Sequence, residues 1–338
     1  MATTIAFFEI SEKEKVSFER YFHGSKYKIL IFDQPISQVP AYEYKEAEVL
    51  SVFNSSKIDQ SAISHMPKLK FIAVRATGFD NIDLKACKNR DISISNVPGY
   101  GKSTVAEYAI MLMLMLYHKM PAVLESVNKG QINYKKLTGQ ILAGKTLGII
   151  GAGQVGTSVA KIGVALGMHV IAYDPHINTD ASESIGYSYM TLDEVLKGSD
   201  IVTLHANLKP SSKHLINTAT LKMMKDSAVL INTARGSMVN TPELVEALKN
   251  KDISGAALDC IEGESTLDVD IETNLLLSNK INFYELAEVD ILSKMNNVIL
   301  SPHNAFNSKE SQYILRKTTA QNIHCFLSGN PQNLVKLS

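Results

Sequence analysis

Three glycines with a fixed spacing stand where an apolar strand passes into a helix. Gly151, Gly153 and Gly156 follow the apolar run 147–150, and a helix is predicted over 154–166. Gly151 would make the tight turn, Gly153 would let the backbone approach a pyrophosphate, and Gly156 would let helix and strand pack closely. The free N–H groups at the start of the helix, and the positive end of its dipole, would face the phosphates. The spacing therefore predicts a dinucleotide site.

Asp174 indicates which dinucleotide the site would prefer. It follows the second apolar run, 169–173, at the place where a carboxylate accepts hydrogen bonds from the adenosine ribose hydroxyls. The same charge would repel a 2′-phosphate, and no Arg or Lys follows within 175–178. A glycine-containing loop alone would indicate only a tight turn. With the strand, the helix and the acid in this order, the stretch predicts NAD rather than NADP.

Three further side chains stand at or near the ends of later apolar strands. Arg235 follows the run 228–232, Glu264 comes shortly after Asp259, and His303 follows the last strand. Parallel α/β sheets bind their ligands at the C-terminal ends of the strands. Each residue alone has an ordinary interpretation, since such an Arg is usually solvated, such a Glu lies on the surface and a lone His is structural.

Strands and helices alternate on both sides of the glycine turn. Before the turn, strands are predicted at 5–8, 28–32, 49–53, 71–75 and 92–97, with helices at 11–21 and 58–65. After it, strands are predicted at 201–204, 228–232, 255–259 and 298–301, with helices near 192–197 and 242–249. This alternation predicts an α/β protein with two doubly wound parallel sheets, each covered on both faces.

Two other helices have distinctive places in the chain. A Met-, Leu- and Ala-rich helix is predicted over 103–120, and it is apolar nearly all round. It should therefore be buried in the core or at a subunit contact, and packing is the default role of its methionines. The last helix, 308–327, lies beyond the second set of strands, and we expect it to pack back on the N-terminal region.

The bulk composition makes several functional classes improbable. Among 338 residues, Lys+Arg and Asp+Glu both number 34, so nothing indicates a nucleic acid or a membrane surface as partner. Three widely spaced cysteines fit neither a disulfide framework nor a metal site. The N-terminus does not read as a signal peptide, and the longest apolar run, 109–117, is too short to span a bilayer. We expect a soluble, cytoplasmic, two-domain protein without a metal.

In their order and spacing, these motifs resemble the D-2-hydroxyacid dehydrogenase family. The matching stretches extend from about residue 58 to the C-terminus and are 76–83, 96–98, 151–156, 234–236, Asp259 with Glu264, and 302–303. The long segment between Glu264 and His303, and Tyr100 after 97–98, are most similar to the D-lactate dehydrogenase branch.

The resemblance implies a mechanism that the side-chain chemistry supports. NADH would pass a hydride to the C2 carbonyl of a 2-oxo acid while His303, whose reference pKa lies near neutrality, protonates the oxygen. Glu264 would hydrogen-bond the ring and favour its charged form. Arg235 would hold the carboxylate and the carbonyl oxygen with its planar fork.

The resemblance also assigns the residues around substrate and cofactor. The expected substrate contacts are Thr77 and Gly78, through their backbone N–H groups, with Tyr100 and Phe306 bordering the pocket. The expected cofactor contacts are Gly151, Gly153, Gln154, Val155, Gly156, Asp174, His205, Thr233, Ala234 and Asp259. Among these, Asp259 would hold the nicotinamide carboxamide, and Thr233 would line the nicotinamide site.

The domain organisation is likewise implied by the resemblance. Residues 103–300 would form a Rossmann NAD-binding domain, inserted into a flavodoxin-like substrate domain made of 1–102 and 301–338. Hinges near 98–102 and 301–302 would let the cleft close and exclude water. The family is usually dimeric through its NAD domains, which would make this protein a homodimer and give the Met/Leu-rich helix a partner. The sequence assigns no role to 271–285, for which a lid and a subunit contact are the two candidates.

Pyruvate is the predicted substrate. Tyr100 and Phe306 would favour a small apolar group, and only Arg75 and Lys102 lie near the presumed substrate loops, where both are interpreted as solvated or structural charges. Reduction of hydroxypyruvate, glyoxylate or branched 2-oxo acids is the alternative within the enzyme class. An NAD(H)-sensing, corepressor-like binding protein is the alternative of another class, although all three catalytic residues are present.

Overall fold

The chain divides into two units, each built on a parallel sheet. A computed structural model describes residues 2–24, 26–262 and 283–337. The first unit consists of Met1–Tyr100 with Ser308–Ser338, and the second of Gly101–Asn307. The sheets have five and seven strands, and every pairing between the strands is parallel. The predicted fold class, with two doubly wound parallel sheets, is confirmed.

The first unit has the strand order β2-β1-β3-β4-β5, which is that of flavodoxin-like sheets. Its described strands are Thr3–Phe7 (β1), Tyr27–Ile31 (β2), Val49–Val52 (β3), Phe71–Val74 (β4) and Ser93–Ser95 (β5). Its described helices are Glu12–Tyr21 (α1), Ala41–Tyr44 (α2), Gln60–Ser64 (α3), Leu84–Asn89 (α4) and Lys309–Leu327 (α14), with a 3₁₀ turn at Ile36–Gln38.

Both faces of this first sheet are buried. Successive side chains of a strand point to opposite faces, so Phe7 and Phe71 lie on one side while Leu50 and Ile72 lie on the other. The first side packs against α1 and α14, where the ring of Phe326 stacks on Phe71 with centroids 4.2 Å apart. The prediction that the last helix packs on the N-terminal region is therefore confirmed.

The second unit has the strand order β12-β11-β10-β9-β6-β7-β8. Its described strands are Thr146–Ile150 (β6), His169–Tyr173 (β7), Ser188–Tyr189 (β8), Ile201–Leu204 (β9), Val229–Asn232 (β10), Gly255–Leu258 (β11) and Val298–Leu300 (β12). Its described helices are Lys102–Tyr117 (α5), Met120–Asn128 (α6), Tyr134–Leu137 (α7), Gln154–Ala165 (α8), Thr179–Ile185 (α9), Leu192–Gly198 (α10), Thr218–Leu221 (α11), Thr241–Asn250 (α12) and Phe283–Ser293 (α13), with a 3₁₀ turn at Gly236–Met238. The order reverses between β6 and β9, the point where doubly wound sheets bind ligands.

The Met/Leu-rich helix α5 packs beside α8 and across β10 and β11. Ala109 and Met113 are fully buried there. The helix ends at Tyr117, before the predicted end, because Lys119 adopts a left-handed backbone conformation with φ of 52°. Helix α6 then starts at an angle of 63° to α5. In the described part of the chain, no single helix is both long enough and apolar enough to span a membrane. Only the bent pair of α5 and α6, taken together, has the length and composition for it.

Candidate active site

The glycine turn lies at the switch point of the seven-stranded sheet. Gly151 has φ of 99°, and a Cβ there would lie 2.5 Å from the Ala206 nitrogen, so only glycine fits. A Cβ on Gly156 would collide with the Gly151 carbonyl oxygen, so the absence of a side chain there lets α8 lie close to the strand. Gly153, at the N-cap of α8, faces open space within 4 Å of its Cβ position. The turn therefore offers the bare backbone and helix N-terminus that a pyrophosphate needs.

Asp174 is held against this glycine turn. One carboxylate oxygen, Oδ2, accepts a hydrogen bond from the Ala152 N–H at 2.9 Å, and Oδ1 accepts one from the His176 N–H at 2.8 Å. The side chain of Asp174 is 17% exposed. The acid is thus fixed at the C-terminal end of β7, where a ribose bound to this turn would present its hydroxyls.

Two buried polar atoms at the same sheet edge have no hydrogen-bond partner among the described residues. They are Nδ1 of His205, just after β9, and Oγ1 of Thr233, just after β10. The other ring nitrogen of His205 lies 2.9 Å from Thr203 Oγ1, and burial lowers the pKa of His205 to about 3. Buried polar groups normally have partners, so a neutral imidazole and a hydroxyl here fit a polar ligand group. The residues present therefore fit a dinucleotide.

Arg235 lies in a turn that β10 and β11 hold together. Asn232, fully buried at the end of β10, donates from its amide to the carbonyls of Arg235 at 3.0 Å and Cys260 at 3.1 Å. The half-buried Arg235 donates from Nη1 to the Ala234 carbonyl at 2.7 Å. A side chain at Gly236 would collide with the backbone that follows β11. The guanidinium is therefore presented from a fixed turn at the sheet edge.

His303 lies in a loop that Asp259 organises. The His303 N–H donates to the Asp259 carbonyl at 2.8 Å, and His303 has φ of 47°. The Asp259 carboxylate, 1% exposed, accepts from Ser301 Oγ at 2.6 Å and from the N–H groups of Asn304 and Ala305, each at 2.9 Å. Both of its oxygens are thus bonded within the protein. Its contact with a nicotinamide carboxamide stays a prediction.

Two predicted elements of the site fall outside the described residues. Glu264, the predicted partner of His303, is one of them, and most of 271–285 is the other. The described chain reaches Glu262 after β11 and resumes at α13. The roles predicted for Glu264 and for that segment therefore stay predictions.

The predicted substrate contacts Thr77 and Gly78 follow β4 in the first unit. Thr77 Oγ1 donates to the Val97 carbonyl at 2.9 Å, and the Asn96 amide donates to the Thr77 carbonyl at 2.7 Å. Arg75, 1% exposed, donates to the carbonyls of Phe8 at 2.7 Å and Glu9 at 2.8 Å. Its charge therefore has a structural role, which is one of the two interpretations given from the sequence.

The structure sorts the predicted residues into two groups. Within the second unit, the C-terminal sheet edge collects Gly151, Gly153, Gln154, Val155, Gly156, Asp174, His205, Thr233, Ala234, Arg235, Asp259, His303 and Phe306. The ring of Phe306 lies 6.3 Å from that of His303 at 75°. Thr77, Gly78 and Tyr100 belong to the first unit, where the backbone carbonyl of Tyr100 accepts a hydrogen bond from Ser311 Oγ at 3.2 Å.

The residues that hold these loops in place were not predicted from the sequence. Asn232 and Ser301 are the clearest cases, since both fix the backbone beside a predicted catalytic side chain. The available signal for Asn232 was a polar residue ending a buried apolar strand. Within the described residues, no group of three or more His, Cys, Asp or Glu could hold a metal ion. By the chemistry of their side chains, Arg235 at this edge can bind an anion and His303 can exchange a proton.

Known proteins are similar to this chain in both sequence and fold. Residues 110–305 match the profile of the D-isomer specific 2-hydroxyacid dehydrogenase NAD binding domain. The 2-hydroxyacid dehydrogenase homolog 1 of Schizosaccharomyces pombe is 34% identical over 98% of this chain and 99% of its own length. Glycerate dehydrogenase of Methylorubrum extorquens is 35% identical over 85% of each chain. The structure of D-lactate dehydrogenase from Aquifex aeolicus, complexed with NAD and lactic acid, superposes with a TM-score of 0.89 at 32% identity, over 96% of both chains.

Proposed function

We propose that this protein, which belongs to the D-isomer specific 2-hydroxyacid dehydrogenase family and is NAD-dependent, reduces pyruvate to D-lactate. The observation that carries the proposal is the shared sheet edge of the second unit. There Arg235, Asp259 and His303 follow β10, β11 and β12, which are three successive parallel strands, on the same edge as the glycine turn. An anion-binding group, an acid/base and a dinucleotide turn are the parts that reduction of a 2-oxo acid requires.

The side chains divide the reaction among themselves. When bound, NADH supplies the hydride that reduces C2 of the substrate. Arg235 binds the substrate carboxylate and polarises the carbonyl oxygen with its two-pronged guanidinium. His303, as imidazolium, donates its proton to that oxygen, and in the reverse direction it takes the proton from the hydroxyl. The backbone N–H groups of Thr77 and Gly78 are assigned to the substrate carboxylate.

Two features support a small substrate without a phosphate. Phe306 lies edge-on to the ring of His303, which favours a methyl group next to the reacting carbon. Arg75 donates its hydrogen bonds to backbone carbonyls, so its charge is engaged within the first unit. The structural neighbour from Aquifex aeolicus, complexed with NAD and lactic acid, is a D-lactate dehydrogenase by name. The similarity to a glycerate dehydrogenase supports hydroxypyruvate as the second candidate, because oxidation of glycerate at C2 gives hydroxypyruvate.

A panel of 2-oxo acids, followed by the loss of NADH absorbance, tests the substrate. We expect the highest kcat/KM with pyruvate, with values falling as the side chain lengthens or gains a charge. A higher value with hydroxypyruvate, glyoxylate or 2-oxoisocaproate would move the proposal to the alternative substrates and leave the mechanism. Chiral analysis of the product should show D-lactate, and L-lactate would overturn the assigned stereochemistry. No turnover of any acid would favour a binding protein.

Cofactor preference should depend on Asp174. A carboxylate next to a 2′-phosphate costs several kcal/mol, so we expect the wild type to prefer NADH over NADPH by roughly 100-fold in kcat/KM. Asp174→Ala should narrow that ratio, and the loss of its bond to Ala152 should also weaken NADH binding. Asp193→Ala, an exposed carboxylate in the same unit, is the matched control. Equal use of both cofactors by the wild type would contradict the assignment.

A homodimer through the second unit is the assembly we propose. Helices α5 and α6 leave apolar side chains exposed, with Leu114 at 36%, Leu124 at 54% and Val127 at 60%, and an interface would remove such apolar surface from water. Sedimentation of the wild type should give the mass of two chains. The double variant Leu114→Glu with Leu124→Glu should give the mass of a single chain. Tyr42→Glu, exposed in the first unit, should leave the mass unchanged. A monomeric wild type would contradict the proposal.

A further inference from the structure

His214 connects two segments of the second unit through its imidazole. It lies in the loop between β9 and α11, and its Nε2 is 2.8 Å from Oε1 and 3.0 Å from Oε2 of Glu262, just beyond β11. The side chains are 35% and 23% exposed, so the contact is partly shielded from water. When the ring is protonated, the pair is a charge-assisted hydrogen bond, which is stronger than a neutral one.

The backbone of His214 makes a second connection. Its N–H donates to the Ser237 carbonyl at 2.8 Å, in the 3₁₀ turn that begins after Arg235. Its carbonyl accepts from the Asn217 amide at 2.9 Å, and its φ is 50°. Non-glycine residues adopt this left-handed conformation rarely and at a cost, so it persists only where the surroundings hold it.

One of the two connected segments carries a proposed catalytic residue, because Ser237 stands two positions after Arg235. The other is the segment after β11, which is described as far as Glu262. The segments also touch directly, because a side chain at Gly236 would collide with the backbone of Ile261 and Glu262. His214 therefore ties the loop after β9 to the turns after β10 and β11.

We infer that His214 is a positioning residue, which with Glu262 sets the placement of Arg235. The inference rests on the proposed function for the role of Arg235. Misplacement of a reacting group by about 1 Å can cost roughly 100-fold in rate, even when the change lies outside the reacting groups. Losing the contact between His214 and Glu262 should therefore reduce catalysis more than it reduces cofactor binding.

The variant His214→Asn tests the inference, because Asn tolerates the left-handed conformation but does not reach Glu262. Glu262→Gln removes the charge from the other side, and the double variant completes a cycle. His169→Asn, at the exposed start of β7 in the same unit, is the matched control. We expect each single variant to lower kcat/KM for the 2-oxo acid roughly 10- to 100-fold, with little change in NADH affinity. The double variant should lose far less than the product of the two.

The outcomes are separable from those of the substrate proposal. Turnover is measured with whichever acid is fastest in the panel, so failure of pyruvate alone leaves the test intact. Amide hydrogen exchange in peptides covering 235–240 and 255–262 gives a readout without turnover. Exchange there should be faster in His214→Asn and in Glu262→Gln but not in the control. Unchanged exchange, control-like kinetics, or losses that multiply in the double variant would each overturn the inference.

Discussion

His303→Ala is expected to lower the turnover of the 2-oxo acid by roughly 10²- to 10⁴-fold, the usual contribution of a positioned acid or base. The effect should be chemical, because Asp259 holds the loop through contacts that this substitution leaves in place. Since φ of residue 303 is 47°, His303→Asn, which tolerates that conformation, serves as a second variant. Both should bind NADH with nearly wild-type affinity, as measured by fluorescence.

The pH dependence gives the same assignment a second check. Reduction requires the imidazolium of His303, so the wild-type rate should fall as the pH rises through the pKa of that ring. His205 is a poor alternative source of this titration, because burial lowers its pKa to about 3 and leaves it neutral. His65→Asn, an exposed histidine of the first unit, should behave as wild type. A loss below about tenfold in His303→Ala would contradict the assignment.

Arg235→Lys is expected to be nearly as damaging, with a loss in kcat/KM of about 100-fold. An ammonium keeps the charge but cannot offer two parallel N–H groups to a carboxylate. Losing one charge-assisted hydrogen bond costs about 1.5–3 kcal/mol, and each 1.36 kcal/mol is a factor of ten. The donation from Nη1 to the Ala234 carbonyl is lost as well. The substrate KM should rise and kcat should fall, while the KM for NADH stays nearly constant.

A matched substitution separates this effect from the general cost of removing a guanidinium. Arg90 is half-buried at the end of α4 and donates to the carbonyls of Met66 at 3.3 Å and Pro67 at 3.1 Å. Arg90→Lys should therefore affect thermal stability slightly and leave the kinetic constants alone. If Arg235→Lys retained wild-type kcat/KM, the guanidinium would not be the group that holds the substrate.

The buried strands were the most predictable elements. β9 coincides with the predicted strand 201–204 and is buried at all four positions, and a strand buried on both faces is a nearly continuous apolar run. β7 coincides with the predicted run 169–173, although His169 at its start is exposed. Short helices escaped prediction, since they contain too few residues to show a period. Helix α11, for example, starts where Asn217 caps the N–H groups of Ala219 and Thr220, a local contact rather than a pattern.

The sequence predicted which residues would meet at one sheet edge, but not their contacts. The family resemblance pointed to Arg235 and His303, and in the structure both follow strands at the same edge. That Asp259 would bond three groups of the 301–305 loop could not be read from spacing, because partners so distant in sequence meet only after folding. The catalytic roles of Arg235, Glu264 and His303, the homodimer and the cytoplasmic location stay predictions.

The composition of the first unit from both ends of the chain has a consequence for synthesis on the ribosome. Its sheet is covered by α14, with Phe326 on Phe71, and its edge strand pairs with the C-terminal segment between Ser95 and Leu334. The second unit, Gly101–Asn307, is continuous and can finish folding before those residues emerge. Limited proteolysis of a released chain truncated after Asn307 should cut within 1–100 first, and equal protection of both units would contradict this order. The part of the protein made first is then the last to be completed.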